Sequence, residues 1–305
     1  MSKIAFLYPG QGAQKSGMGR DFYENSPLSK QIYDDAAANL DFDVKAMCFE
    51  EDERLNLTEF TQSALVATSL AMTEEVVKAG IKPDMTAGLS LGEYCALAAA
   101  GAMKPVDAVK LVRIRGKLMQ NTCPPGTGAM CAVIGAEVSL IEDVVEPIEG
   151  VTIANYNCPG QIVITGVKEA VEVAAEKLKE AGAKRCLMLN VSGPFHSPLM
   201  IPAGEALGKE LANVELAPLQ IPYVTNVTAE MVDDISKTKE LLEKQVASPV
   251  KWIQSMATMV EAGIDTFIEI GPGKTLAGFM KKMYPDVTFI NIGCWEDLEK
   301  LEALK

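Results

Sequence analysis

The sequence predicts an α/β protein: a mainly parallel sheet flanked by helices and interrupted by a small βαββαβ insert of ferredoxin-like pattern. Three observations predict it. Short apolar runs alternate with long helical patterns towards both ends of the chain, as βαβ units require. Two breaker clusters, 122–128 (TCPPGTG) and 192–194 (SGP), bracket a middle segment. Within that segment the order changes to β-α-β-β-α-β. The expected division is a core built from 1–125 and 193–305, with an insert at 126–192.

The elements follow from local chemistry. Residues 4–8 (IAFLY) are a short apolar run stopped by Pro9-Gly10, and read as a buried first strand. It is too short for a signal segment or a membrane span. Residues 61–79 are dense in Ala and Leu and end at Gly80, which marks a helix. A short strand at 85–88 precedes a helix of small residues at 91–100. Pro105 suits the first turn of a helix reaching about 120. The insert follows, with strands at 129–134, 151–155, 161–165 and 185–189 and helices at 138–145 and 168–181. Near the end, a strand at 265–270, the loop Gly271-Pro272-Gly273 and a helix at 274–283 return to the αβ rhythm.

Composition narrows the function. The 305 residues are 48% hydrophobic and 23% charged, as in ordinary folded domains rather than disordered chains. The net charge of −13 argues against a nucleic-acid partner. Seven cysteines without a C-x-x-C pair suggest reduced thiols in the cytoplasm. There is one histidine, His196, so no multi-histidine metal site exists and any histidine chemistry uses that residue. Nucleotide motifs fail on inspection. Lys15 stands where a dinucleotide fingerprint beginning at Gly10 needs its third glycine, and Ile268 where a P-loop ending at Lys274-Thr275 needs its first.

The strongest local signal is Gly88-Leu89-Ser90-Leu91-Gly92 between a strand and a helix. A sharp strand-to-helix turn crowds backbones together, so it needs glycines, and it lifts a serine hydroxyl clear of the sheet. The first helical N–H groups, beginning with Leu91, then face a developing oxyanion. The plain alternative is a Gly-Ser connection. A serine nucleophile needs a base, and His196 follows the second breaker cluster. Ser197-Pro198 reads as an N-cap followed by proline, which sets His196 beside a helix N-terminus that disfavours imidazolium. No acidic residue occupies an obvious triad position, so the expectation is a Ser-His dyad with a main-chain or amide oxygen orienting the ring.

Arg115 stands out by periodicity. At about 100° per residue, Lys110, Arg113 and Lys117 share one face of the 105–120 helix, whereas Arg115 falls among Ala108, Leu111, Val112 and Met119. An arginine on an apolar stripe binds an anion, joins a structural ion pair or reaches for water. Its planar fork suits a carboxylate. Gln11, just beyond the first strand, is either a second backbone donor to an oxyanion or part of a simple βα loop.

Together these residues resemble the malonyl-CoA:acyl-carrier-protein transacylase family. The matching segments, in order, are Pro9–Gln14 (PGQGAQ), Gly88–Tyr94 (GLSLGEY), Arg115–Gln120 (RGKLMQ), Asn157–Gln161 (NCPGQ), Phe195-His196-Ser197 and Ser248–Trp252 (SPVKW). The resemblance implies an α/β-hydrolase-like core carrying the ferredoxin-like insert. It implies Ser90 as acylated nucleophile, His196 as base, and Gln11 and Leu91 as backbone oxyanion donors. Arg115 would hold the free malonyl carboxylate, and the main-chain carbonyl of Gln245 would orient the histidine. A bulky residue at Phe195 goes with malonyl over methylmalonyl. One position departs: Leu89 replaces the histidine usual before the nucleophile.

The implied partners are malonyl-CoA and an acyl carrier protein, with no cofactor, metal, nucleic acid or membrane. An acidic carrier meeting an acidic chain needs a local basic patch. Lys184-Arg185 and the Lys110, Arg113, Lys117 face are the candidates. A serine esterase explains Ser90 but not a carboxylate-binding Arg115, and a carrier-binding module leaves Ser90, His196 and Arg115 without a joint role.

Overall fold

The structure is a computed structural model and describes residues 2–304. Two sheets organise it. The larger contains β1 (Ile4–Tyr8), β2 (Met85–Gly88), β7 (Tyr223–Val224), β8 (Met231–Val232), β9 (Thr266–Ile270) and β10 (Thr288–Ile292), in the order β10-β9-β1-β2-β7-β8. Every pairing is parallel except β7 with β8 at one edge. Parallel sheets are covered on both faces, and β1 shows how. Its Phe6 and Tyr8 enter one core, with Ile268 and Ile270 of β9; its Ala5 and Leu7 enter the opposite core, with Phe267 of β9. The helix Thr58–Lys78 lies in the first core and is buried on nearly all sides, which explains its uniform Ala/Leu/Thr composition.

The smaller sheet lies within the expected insert. It contains β3 (Gly128–Ile134), β4 (Val151–Cys158), β5 (Gln161–Val167) and β6 (Arg185–Met188), in the antiparallel order β4-β5-β3-β6. That is the ferredoxin-like order expected of βαββαβ. The helices Val138–Val145 and Lys168–Glu180 cover one face, where Cys131 and Val133 of β3 point. Met130 and Ala132, the alternate residues, face the main core instead. Backbone bonds join the two parts: Tyr156 N–H donates to the Val250 carbonyl at 2.9 Å, and Val250 N–H to the Ala154 carbonyl at 2.8 Å. These bonds fall where β4 carries register shifts.

Two differences from the sequence reading stand out. Strand β4 runs on to Cys158, because Val250 of the core pairs beside Asn155 and extends it. Strands β7 and β8 hold only two residues each, too few to leave an alternating pattern. Among the described residues no helix is long and apolar enough to cross a membrane.

Candidate active site

The turn after β2 has the geometry a nucleophile elbow needs. Ser90 sits at φ 52°, a left-handed conformation that costs energy for any side chain but glycine. The flanking glycines relieve that crowding. A Cβ on Gly88 would stand 1.9 Å from the Gly92 carbonyl carbon, and one on Gly92 would stand 2.2 Å from the Tyr8 carbonyl oxygen. Asn226 braces the turn on both sides. Its Oδ1 accepts from Ser90 N–H at 2.6 Å, and its Nδ2 donates to the Gly88 carbonyl at 2.8 Å.

Ser90 Oγ lies 2.8 Å from His196 Nε2. The other ring nitrogen, Nδ1, lies 2.9 Å from the Gln245 carbonyl oxygen and 3.1 Å from that of Ser248. Carbonyl oxygens only accept, so Nδ1 carries the proton and Nε2 is free to accept from the serine. No acidic side chain is needed for this. His196 is 4% exposed, and its imidazole is pushed down to about 4, first by burial and then by the Arg115 charge, against the opposing pull of the two carbonyls. The ring is therefore neutral at pH 7, with Nε2 free to accept a proton. Here the sequence expectation needs correcting on cause. The segment after His196 is a three-residue 3-10 turn, Pro198–Met200, that runs into the helix Ile201–Ala212, and the Ser197 side chain caps none of its amides. Ser197 Oγ donates instead to the Pro194 carbonyl at 2.6 Å.

Arg115, on the helix Pro105–Asn121, is 1% exposed. Nη1 donates to Gln62 Oε1 at 2.8 Å; Nη2 donates to Gln245 Oε1 at 3.0 Å and to Ser90 Oγ at 3.1 Å. Its Nε has no partner, and the guanidinium lies 5.6 Å from the centre of the Tyr94 ring. Among the described residues it makes no ion pair with a carboxylate, so the structural-ion-pair alternative fails for this residue. That alternative holds two positions earlier. Arg113 is nearly buried and pairs with Asp41 at 2.8 Å and Glu59 at 3.1 Å, and Lys117 also pairs with Asp41 at 2.8 Å. The Lys110, Arg113, Lys117 face is thus largely an internal ion-pair network rather than an open basic patch.

These groups open into a cavity of about 230 Å³ between the two sheets. Core residues Gln11, Ser90, Leu91, Arg115, Phe195 and His196 line one side, and Met130, Ala132, Asn155 and Val163 of the insert the other. The backbone N–H groups of Gln11 and Leu91 make no hydrogen bond among the described residues, so both remain available. The Gln11 side chain is occupied elsewhere, donating to Thr58 Oγ1 at 3.0 Å. Phe195 is almost fully buried against the cavity. Leu89, where the resembling family has histidine, also lines it and packs against the second core. Lys184 and Arg185 lie exposed at the start of β6, away from the cavity, although Leu189 further along that segment reaches its wall. A larger open groove of about 1260 Å³ runs along β10 and shares no lining residue with this cavity.

Sequence reasoning missed Gln62, Glu93, Asn226 and Ser248. Gln62 carried a readable signal, an amide inside an apolar helix, the same kind that exposed Arg115. Glu93 directly follows the elbow motif, yet nothing local marks its burial. Asn226 sits in a loop without a pattern, and Ser248, although it opens the SPVKW segment, acts through a main-chain oxygen that no residue type marks.

Comparison with known proteins agrees with the geometry. Residues 5–291 match the model of the acyl transferase domain family. The chain is 45% identical over 311 residues to the malonyl CoA-acyl carrier protein transacylase of Bacillus subtilis, covering 100% of this chain and 98% of that one. The solved transacylase of Clostridium perfringens superposes with a TM-score of 0.95 at 42% identity, covering 99% of this chain and 97% of that one. A malonyl-transacylase solved with a type II PKS acyl-carrier protein gives 0.96 at 36% identity, covering 100% of both chains. On these grounds the chain belongs to the acyl transferase family and, within it, to the malonyl CoA-acyl carrier protein transacylases.

Proposed function

We propose that the protein moves a malonyl group from coenzyme A to the phosphopantetheine thiol of an acyl carrier protein, through an ester on Ser90. The observation that carries this is Arg115: a buried guanidinium without a carboxylate partner, 3.1 Å from the nucleophile. A substrate whose carboxylate lies one carbon beyond the reacting carbonyl supplies the missing partner.

Each half-reaction uses the same groups. Ser90 Oγ attacks the thioester carbonyl while its proton passes to His196 Nε2. The Gln11 and Leu91 N–H groups stabilise the tetrahedral oxyanion. The intermediate collapses, the C–S bond breaks, and the departing coenzyme A sulfur takes the proton from Nε2. In the second half the carrier thiol gives its proton to Nε2 and attacks the ester carbonyl. The C–O bond breaks, and Ser90 recovers the proton. The Gln245 carbonyl keeps the ring in the required tautomer throughout. Phe195 crowds the malonyl α-carbon and disfavours a methyl branch. Lys184 and Arg185 are the proposed carrier contact, and 126–192 the insert that walls the cavity within a core of 1–125 and 193–305. The reaction as proposed needs no cofactor or metal. It serves fatty-acid or polyketide synthesis in the cytoplasm, where seven unpaired thiols suit a reducing medium.

The test is incubation with malonyl-CoA alone, followed by intact mass and free coenzyme A. A stable malonyl adduct is expected on the wild type and none on Ser90→Ala. Release of coenzyme A without an adduct would make the protein a hydrolase.

A further inference from the structure

Glu93 is the second residue of the helix Gly92–Ala99, directly after the elbow, and is 0% exposed. A buried carboxylate is costly unless its neighbours compensate it. Its Oε2 accepts from Asn226 N–H at 3.0 Å and from Gln245 Nε2 at 2.7 Å. Those two partners hold the reacting groups. Asn226 accepts from the Ser90 amide. Gln245 offers its main-chain oxygen to His196 Nδ1 and its Oε1 to Arg115. One carboxylate therefore stands behind serine, histidine and arginine together.

The arrangement calls for a charge and not merely an acceptor. The Gln245 amide has its NH₂ end towards Glu93 and the Ser90 carbonyl, and its oxygen towards the guanidinium. A flipped amide would set oxygen against carboxylate and NH₂ against guanidinium. The Ser90 carbonyl and the Arg115 guanidinium already oppose that flip, and an ionised Glu93 adds a full charge against it that a neutral one lacks. The titratable groups facing it are Arg115 from the helix Pro105–Asn121, Tyr223 from β7, Tyr94 on its own helix, and His196 beyond Gln245. Burial raises both tyrosines and lowers His196, so all three are neutral at pH 7. Glu93 and Arg115 are then the opposed charges of this layer. Burial also pushes the Glu93 carboxyl up to about 7, within reach of ordinary pH.

We propose that Glu93 is a positioning residue for the transfer: its carboxylate locks the Gln245 amide and Asn226, and so holds Arg115, His196 and Ser90 in reacting geometry. This rests on the transacylase reading above, and the test keeps the two apart.

Ser90 malonylation is followed by rapid mixing and intact mass from pH 5 to 8.5, on wild type and on Glu93→Gln. In the wild type the rate should fall about tenfold per pH unit below about pH 7. In Glu93→Gln it should be at least about tenfold lower at pH 8 and should lose that limb across the measured range. A merely structural role would lower thermal stability without moving the limb. The wild-type profile decides alone if the variant does not fold: a rate flat from pH 5.5 to 8 overturns the proposal, as does a Glu93→Gln profile parallel to wild type. In both cases the Ser90 adduct still forms, so the transacylase reading survives. Absence of any adduct at every pH removes both.

Discussion

In the proposed reaction, Arg115 bears the discrimination between a diacid and a simple acyl group. Removing one partner of a charge-assisted, nearly dry pair costs about 2–5 kcal/mol, part of it the charge left unpaired. Arg115→Ala should depress kcat/KM for malonyl-CoA by about 30-fold to several thousand-fold. Acetyl-CoA has no carboxylate to lose, so its turnover should change far less and the preference should narrow or invert. Arg115→Lys should recover only part of the loss, because an ammonium lacks the planar fork. Parallel kinetics with both thioesters check this, and equal losses would mark Arg115 as a packing residue. The residue was legible because one cation broke an apolar stripe. Glu93 was not, because a glutamate following an elbow reads as an ordinary first-turn acid on a solvated helix.

At the scale of elements, the helix Thr275–Met283 shows what local patterns hide. Its N-cap position, Lys274, supplies no side-chain cap. Glu269 of β9 does so from the neighbouring strand, accepting from Leu276 N–H at 3.1 Å and Ala277 N–H at 2.9 Å. Thr275 and Phe279 of this helix reach the active cavity. Burial raises the Glu269 carboxyl from 4.5 to about 7. Between those values the folded protein binds more protons than the unfolded chain, so stability falls as pH rises through the window. At about 1.4 kcal/mol per unit, the Glu269 share is at most ~3 kcal/mol. Glu269→Gln should therefore show a smaller drop in Tm than wild type between pH 5 and 8, measured by calorimetry. Glu93 contributes a drop of the same sign in both proteins, so the difference isolates Glu269. The helix itself was visible from the Gly-Pro-Gly loop and its apolar spacing; its cap came from a glutamate inside the preceding strand, well before the N-cap position where a helix-start pattern looks for one.

For the whole molecule, the insert was readable because breaker clusters bracket it and the order of strands and helices changes between them. A cleft between insert and core is expected from the same division, but its walls are not, since they depend on β4 pairing with a core segment nearly a hundred positions later. A chain of net charge −13 must meet an acidic carrier through a local exception to its own field. Lys184→Glu with Arg185→Glu should slow malonyl transfer to the carrier about tenfold or more at low salt and flatten its salt dependence. Malonylation by coenzyme A should stay within about twofold. Comparing the two half-reactions across ionic strength checks this; an equal loss in both would mean that β6 had been disturbed.

The main-chain carbonyls behind His196 have a consequence for how this enzyme yields to genetics. Every amino acid brings the same carbonyl, so the groups that aim the base have no codon of their own. Replacing Ser248 by alanine deletes a hydroxyl and leaves its oxygen on Nδ1 in place. A substitution scan would score that position as dispensable while the atom it contributes goes on working. Drift in the Ser248 side chain should thus be tolerated, whereas an insertion or deletion that displaces the path of this loop should disarm the histidine at once.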